Sequence, residues 1–447
     1  MGIVFAMFIL ACFYPVFTTI VVCYLFMVSF FLKTDKLFRL QLFVRPFQLL
    51  IFIDMTFLGL MTHIFIFGYI KNWIIDVVLN KKKISYKPLL AILLILVYQL
   101  IFPIYKTNIL DFLILLFAMI TMYFIYEKRN EIDFAITAKT FVYSVVCGAI
   151  CGLFISYSPR VGIVERELIN GILRFFAVFF HPNIFSDYAV MAISVLLVLK
   201  HLNKIEIPEF LALFITVFMF GFMTLSRAFI MIFAAVFAIF AILELKKNGR
   251  NELKFLLNLA AIVLAIMLLM EDRTYAYIVR VYSNLDTVGL EKVDSFTLKD
   301  GWWVWVLNGV VKYDPGRIGL WELYIKRIFE TVKSVFFGYG ISAPNIGQMH
   351  SHNILLGFTY TNGIIGMLLM ALFVVSMTNK KAIKTIKEHS AAWLFVAAYF
   401  MVMLLNNNNF GTAMSSLIML CFVFCFKSGK PKPIKTEREK MIEMFYK

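Results

Sequence analysis

The feature that most constrains this chain is a near-unbroken series of apolar runs, each close to the width of a bilayer. They fall near 3–31, 46–70, 88–104, 108–126, 140–157, 184–202, 209–226, 228–245, 255–270, 353–377, 391–405 and 411–426. A helix rising about 1.5 Å per residue crosses the hydrocarbon core with roughly 17–25 such residues. Composition agrees, because 62% of the residues are hydrophobic and only 16% are charged, whereas a soluble domain carries about a quarter charged residues. Lipid offers no partners to an exposed backbone, so runs of this kind must close their hydrogen bonds internally, as helices do. The expected fold is all-α: a polytopic transmembrane helix bundle of about 12 spans, with one long outer-face loop containing short helices. The first run, 2–32, lacks a basic leading segment and is too long for a cleavable signal, so it reads as a retained first span. The stretch 171–180, GILRFFAVFF, is too short to cross and reads as surface-lying or re-entrant.

Charge orders these spans. The chain carries 43 Lys and Arg against 27 Asp and Glu, a net charge of +16. Its basic residues collect at span boundaries, as the positive-inside rule and attraction to anionic membrane lipids require. Outside those boundaries only a short C-terminal tail is basic, so no nucleic-acid partner is implied. The lysine-rich tail after 426 and the loop TNKKAIKTIKEH are two spans apart, which puts both on the cytoplasmic side. KKNGRNELK, EKRNEIDFAITAK and NKKKISYK then fall there as well. One segment dissents: LKTDKLFRLQLFVR (32–45) is basic yet counts to the outside. Either the first run folds differently or this loop contacts headgroups. Five regions result: N-terminal spans (1–157), central spans with arginine-bearing outer loops (158–270), a large outer loop (271–352), C-terminal spans (353–426) and a basic tail (427–447). The six cysteines all lie in apolar runs, two pairs at i, i+4, and read as packing groups rather than disulfides.

The outer face gathers the chemistry. Arg227, in the turn TLSRAF, ends a span, where an arginine must snorkel, pair or bind an anion. The loop 271–352 has nine basic and nine acidic residues, so its length rather than its charge marks it as functional. Within it, Arg317 precedes an amphipathic stretch (Ile318, Leu320, Trp321, Leu323, Tyr324, Ile325, Ile328) that reads as an interfacial helix. In GQMHSHNILLGFTYTNGIIGM (347–367), His352 opens a span. It is either a structural hydrogen-bonder or a base able to take a proton from a hydroxyl. Asn353 can satisfy helix-start amides, and Gly363 and Gly366 allow a close approach by a helix or a lipid tail. His350 and His352 form H-x-H without a third ligand cluster, so no metal and no cofactor is implied. Outer-face candidates are arginines while the inner loops favour lysine.

These pieces, in order, resemble the O-antigen ligase and O-antigen polymerase superfamily. His352-Asn353, nine residues, then Gly363-x-x-Gly366 is similar to its H-[N/S/Q]-x9-G-x-x-[G/T/Y] signature. HPNIFSDYAVMA (181–192) resembles its span-opening Pro-Asn element, and TLSRAF its span-ending Ser-Arg. GRIGLW…FFGYG resembles its R-x-x-x-W, here Arg317 to Trp321, followed by a G-x-G turn. The likeness covers roughly 180–375 of the chain. It implies a metal-independent glycosyltransferase of the bacterial cytoplasmic membrane, active on the extracytoplasmic face. The donor would be an undecaprenyl-diphosphate-linked glycan, and the acceptor a hydroxyl. Arg227 and Arg317 would hold the diphosphate, and His352 would orient or deprotonate the acceptor. Arg160, Arg166, Asn353 and Trp321 are further expected substrate contacts. Partners implied are a flippase and a chain-length regulator of the same pathway. Trp302, Trp303 and Trp305 suit either sugar stacking or interfacial anchoring.

Rival readings stay open at this point. FFGYG resembles a potassium-filter sequence, but the preceding Thr-Val is missing. A lipid-linked-glycan transporter would carry charges within many spans; Asp54, His63 and Asp111 are the main ionisable groups in the early ones. Within the enzyme reading, polymerase and ligase differ only in the acceptor.

Overall fold

A computed structural model describes residues 1–47, 50, 64–156, 158, 168–169, 172–179, 181–277, 315–344, 346, 353–377 and 391–405. The chain is built from helices, and its only strands among the described residues are the two-residue antiparallel pair β1 (Leu168–Ile169) and β2 (Ile172–Leu173). The expected spans 46–70 and 411–426 lie wholly or largely outside the described residues. Among the described residues five helices are long and apolar enough to cross a membrane, or six if one helix pair bent by 94° is a single span. These do not confirm the expected count of about twelve, and the first helices show where the count by apolar length departs from the fold.

The run 3–31 is two helices, α1 (Gly2–Phe13) and α2 (Val16–Phe31). Pro15 has no N–H to continue a helix and forces the residue before it out of helical geometry. Tyr14 accordingly turns extended (φ −127°, ψ 113°). At 12 and 16 residues, the two helices are about 18 and 24 Å long, each shorter than a core of about 30 Å. The dissenting segment 32–45 is mostly α3 (Thr34–Val44), whose Leu37, Phe38, Leu42 and Phe43 are buried against α7 (Phe134–Ser156) and α4 (Phe65–Ile74). A 3-10 turn, Arg45–Phe47, then buries Arg45 to 3% exposure.

The further helices are α5 (Tyr86–Ile101), α6 (Ile109–Glu127), α8 (Pro182–His201), α9 (Ile207–Phe222), α10 (Arg227–Asn248), α11 (Leu253–Leu269), α12 (Pro315–Ile328), α13 (Val332–Phe337), α14 (Ile354–Met377) and α15 (Ala392–Leu405), with the short helix Glu271–Tyr277 bent away from the end of α11. At the centre stands α8, packed against α7, α9, α10 and α15 and 89% buried. Its burial extends round the whole helix, so that Ser186, Asp187 and Ser194 are enclosed along with its apolar residues. We call the end where α7 finishes and α8 begins the upper end. At the lower end, Asp76 pairs with Lys82 (3.1 Å) and Lys128, beside Thr34 at the start of α3. Burial opposes the Asp76 charge, but the hydrogen bonds from Lys128 and Lys82 hold its carboxyl below the usual range. The basic start of α3 thus joins the lysine-rich loops at one end, because the first run folds back on itself at Pro15.

At the upper end α14 is broken. Gly363 has φ 57° and ψ −175° in the middle of the helix, and Gly338, after α13, has φ 68°. A Cβ on Gly363 would lie 2.5 Å from the Gly338 nitrogen and from the Phe336 carbonyl, so the two backbones abut. Gly366, one turn on, faces the Tyr98 ring, where a Cβ would sit 3.0 Å away. The close approach expected of both glycines is thus made by protein. Carbonyls freed at the break find donors: Tyr339 N–H to Tyr360 O (2.8 Å), Gly340 N–H to Thr361 O (2.7 Å) and the Tyr98 hydroxyl to Asn362 O (2.6 Å). Gly249 has a similar φ of 61° but open space around it. We expect Gly249→Ala to cost about 1–2 kcal/mol through backbone strain alone, and Gly363→Ala roughly 3 kcal/mol or more through strain plus overlap. Thermal denaturation in detergent, followed by size exclusion, ranks the two.

Candidate functional site

The turn from α9 to α10, Met223–Thr224–Leu225–Ser226, is held by donors that occupy its carbonyls. Arg174 donates through Nε to Thr224 O (2.8 Å), and its Nη2 reaches Asn183 Oδ1 (2.8 Å). Arg273 donates to Met223 O (2.9 Å) and Leu173 O (3.2 Å), and the Phe175 amide also donates to Met223 O (3.0 Å). Tyr277 Oη donates to Phe222 O (3.2 Å). Thr224 closes the turn locally, its hydroxyl donating to Gly221 O and accepting from Ser226 N–H. Leu225 takes a left-handed φ of 51°, a conformation that needs such surrounding bonds to persist.

The result is a rigid start for α10. Ser226 is its N-cap and Arg227, half-buried, its first residue. A helix N-terminus carries partial positive charge, so a guanidinium there raises the local potential and favours an anion. Arg174 is 2% exposed. Its place among carbonyls makes it a positioning group rather than a contact for a ligand. The stretch 171–180 that carries it is, over 174–179, buried irregular chain with Phe175, Phe176 and Phe179 packed into the core.

The Pro-Asn element takes a defined part. Pro182 is the first residue of α8, His181 Nδ1 accepts from the Asn183 amide (3.1 Å), and Asn183 Oδ1 receives Arg174. Deeper at the same end, Asp187 and Tyr188 of α8 are buried, and the buried Arg45 lies near Tyr188 and Tyr69.

The other expected site residues divide. Arg317 is on the backbone of α12; Trp321, one turn on, is half-buried. Asn353 caps α14, its Oδ1 accepting from Leu355 N–H (3.0 Å) and Leu356 N–H (3.3 Å). His350, His352, Arg160, Arg166 and the tryptophans at 302, 303 and 305 lie outside the described residues, as do Asp54 and His63. Asp111 is not a mid-span charge: in the first turn of α6 it accepts from Ser342 Oγ (2.7 Å) and from Asn108 Nδ2 (2.8 Å). That bond docks the turn after α13 onto the α5–α6 connection.

Sequence reasoning missed Arg45, Arg273 and the anchoring role of Arg174. The preference for arginine over lysine near this end was the available signal. The four described cysteines are free thiols; Cys12 Sγ donates to Phe8 O (3.2 Å), and Cys151 is buried against it. No protein-family model matches the chain, and no curated protein matches it.

The geometry separates two effects. Arg174→Met leaves Thr224 O and Asn183 Oδ1 without their charged donor, and we expect it to cost roughly 2–3 kcal/mol of stability. Arg174→Lys, able to reach one acceptor at a time, should recover part of that loss in the same thermal assay.

Proposed function

We propose that the protein is an integral membrane glycosyltransferase that polymerises undecaprenyl-diphosphate-linked oligosaccharide repeat units. The products would be O-antigen or capsule chains, made at the outer face of the bacterial cytoplasmic membrane. The observation that carries this reading is the braced turn that presents Arg227 at the N-terminus of α10, at the upper end to which α12, the helix of Arg317, also belongs. The ordered motifs from 181 to 366 support it independently. The lysine-rich lower end supports a cytoplasmic assignment for that side, which leaves the arginine side outside.

The chemistry asked of these groups is modest. A diphosphate is a ready leaving group, so the protein needs to hold it, stabilise the charge that grows as the glycosidic bond breaks, and orient the acceptor. Guanidinium forks of Arg227 and Arg317 suit phosphate oxygens better than ammonium groups do. His352 takes the acceptor proton as the hydroxyl attacks the anomeric carbon, and the diphosphate departs on its lipid. Transfer to lipid A-core by a ligase is the same chemistry with another acceptor.

A second reading has one observation of its own. The buried Arg45 and Asp187 inside the bundle are what a transporter of lipid-linked glycans would carry. Purified protein in detergent separates the two, since a transferase lengthens a lipid-linked oligosaccharide there and a transporter leaves it unchanged. In that assay His352→Ala, Arg227→Ala and Arg317→Ala should each lower transfer by roughly 100-fold or more, with membrane insertion intact. Arg317→Lys should restore only part. Wild-type rates in all the alanine variants would remove the assignment. In a deletion strain, glycan gels should show core bearing a single unit; long chains held on carrier lipid would point to the ligase instead.

A further inference from the structure

At the upper end a cavity of about 530 Å³ opens between α12, residues 338–344 and 346, the first half of α14 and the α5–α6 connection. Tyr105, Tyr360, Lys326, Arg327 and Glu330 line it. None of these is among the residues that the transferase chemistry uses. From this arrangement we infer that the cavity is a saccharide subsite, taking a hexose ring of the glycan substrate. The inference deepens the transferase reading and rests on it only for the sugar's identity as substrate.

The aromatic wall is fixed before any ligand arrives. Tyr360, 4% exposed, stacks on Tyr339 (4.8 Å between centroids), meets Tyr324 edge-on (5.1 Å) and donates its hydroxyl to Pro344 O (3.1 Å). Tyr105, 40% exposed, leans over Tyr339 at 6.1 Å and leaves ring surface open. A hexose has a face of C–H bonds that suits such rings and an edge of hydroxyls that needs polar partners.

Those partners are also in place. Glu330 is held by Arg327 Nη1 (2.8 Å to Oε2) and by the Tyr339 hydroxyl (2.7 Å). Burial and the Glu330 carboxylate raise the Tyr339 phenol above its ordinary value, so at neutral pH it stays the donor. A carboxylate has about four acceptor sites, so Glu330 keeps capacity for sugar hydroxyls. Arg327, 5.5 Å over the Tyr339 ring, and Lys326 supply donors. Leu323, Pro344 and Ile346 complete the lining; an acyl chain laid on them would desolvate the three charged side chains beside them, and Glu330 in the wall opposes a bare phosphate. An uncharged sugar, with a C–H face for the rings and hydroxyls for the charged edge, fits both constraints.

Saturation-transfer NMR on the full-length protein tests this. The probes are the methyl glycosides of glucose, galactose and N-acetylglucosamine, with inorganic phosphate for comparison. The detergent is an alkyl amine oxide, because maltoside headgroups would compete. At least one glycoside should give transfer from the wild type. Tyr105→Ala and Glu330→Gln, both at exposed side chains outside the buried core, should weaken it roughly tenfold while eluting normally. The inference is overturned if no glycoside binds, if only phosphate binds, or if binding survives both substitutions. Sugar binding without glycan transfer by wild type would remove the transferase reading and leave the subsite standing. Undiminished transfer by both variants, with no sugar signal, would do the reverse.

Discussion

Three carbonyls set free where α14 breaks govern the upper end of this molecule. In a nonpolar surrounding an unbonded carbonyl costs more than most side-chain contacts return. Here the donors come from the turn after α13 and from Tyr98 of α5. Ile104 and Tyr105 amides in turn bond to Gly338 O and Tyr339 O at 3.1 and 2.9 Å. One ladder therefore joins α5, α13 and α14, and the cavity beside α12 exists because that ladder holds its walls. Glycine at 338 and 363 is what allows the strands of the ladder to meet.

The second organised region follows the same rule with different donors. Around the α9–α10 turn, guanidinium groups of Arg174 and Arg273 replace backbone amides as the partners of carbonyls. Arginine suits this because it keeps its charge and offers several N–H bonds in a fixed plane. Two buried or half-buried cations serve to hold a third, Arg227, at the mouth of α10. The central helix α8 contributes through Asn183, so the innermost element of the bundle is tied directly to the turn.

Much of this was legible in the sequence. Hydropathy placed most described helices within a few residues, because apolar length is a local property. The break at Tyr14–Pro15 was written in the proline itself, yet an unbroken apolar count hid it. The Gly363 break was harder: Gly-x-x-Gly announces close approach but not whether a helix continues through it. Arg227 at a span boundary was visible for the same local reason. The carbonyl-bracing roles of Arg174 and Arg273 were not, since their acceptors lie some 50 residues away in the chain. Asp111, counted among the ionisable groups of the early spans, lies in the first turn of α6, where Ser342 and Asp111's own cap partner Asn108 satisfy it, and that placement needs the fold.

The abutting backbones at Gly338 and Gly363 have a mechanical consequence. A hinge needs slack, and two main chains in contact, riveted by amide bonds on either side, have none. The segment running from α12 through α13 is therefore a fixed shoulder on the bundle rather than a flap that swings away from it. Access to the cavity beside it therefore runs along the rim, because the backbone contact between α13 and α14 leaves no seam there to open.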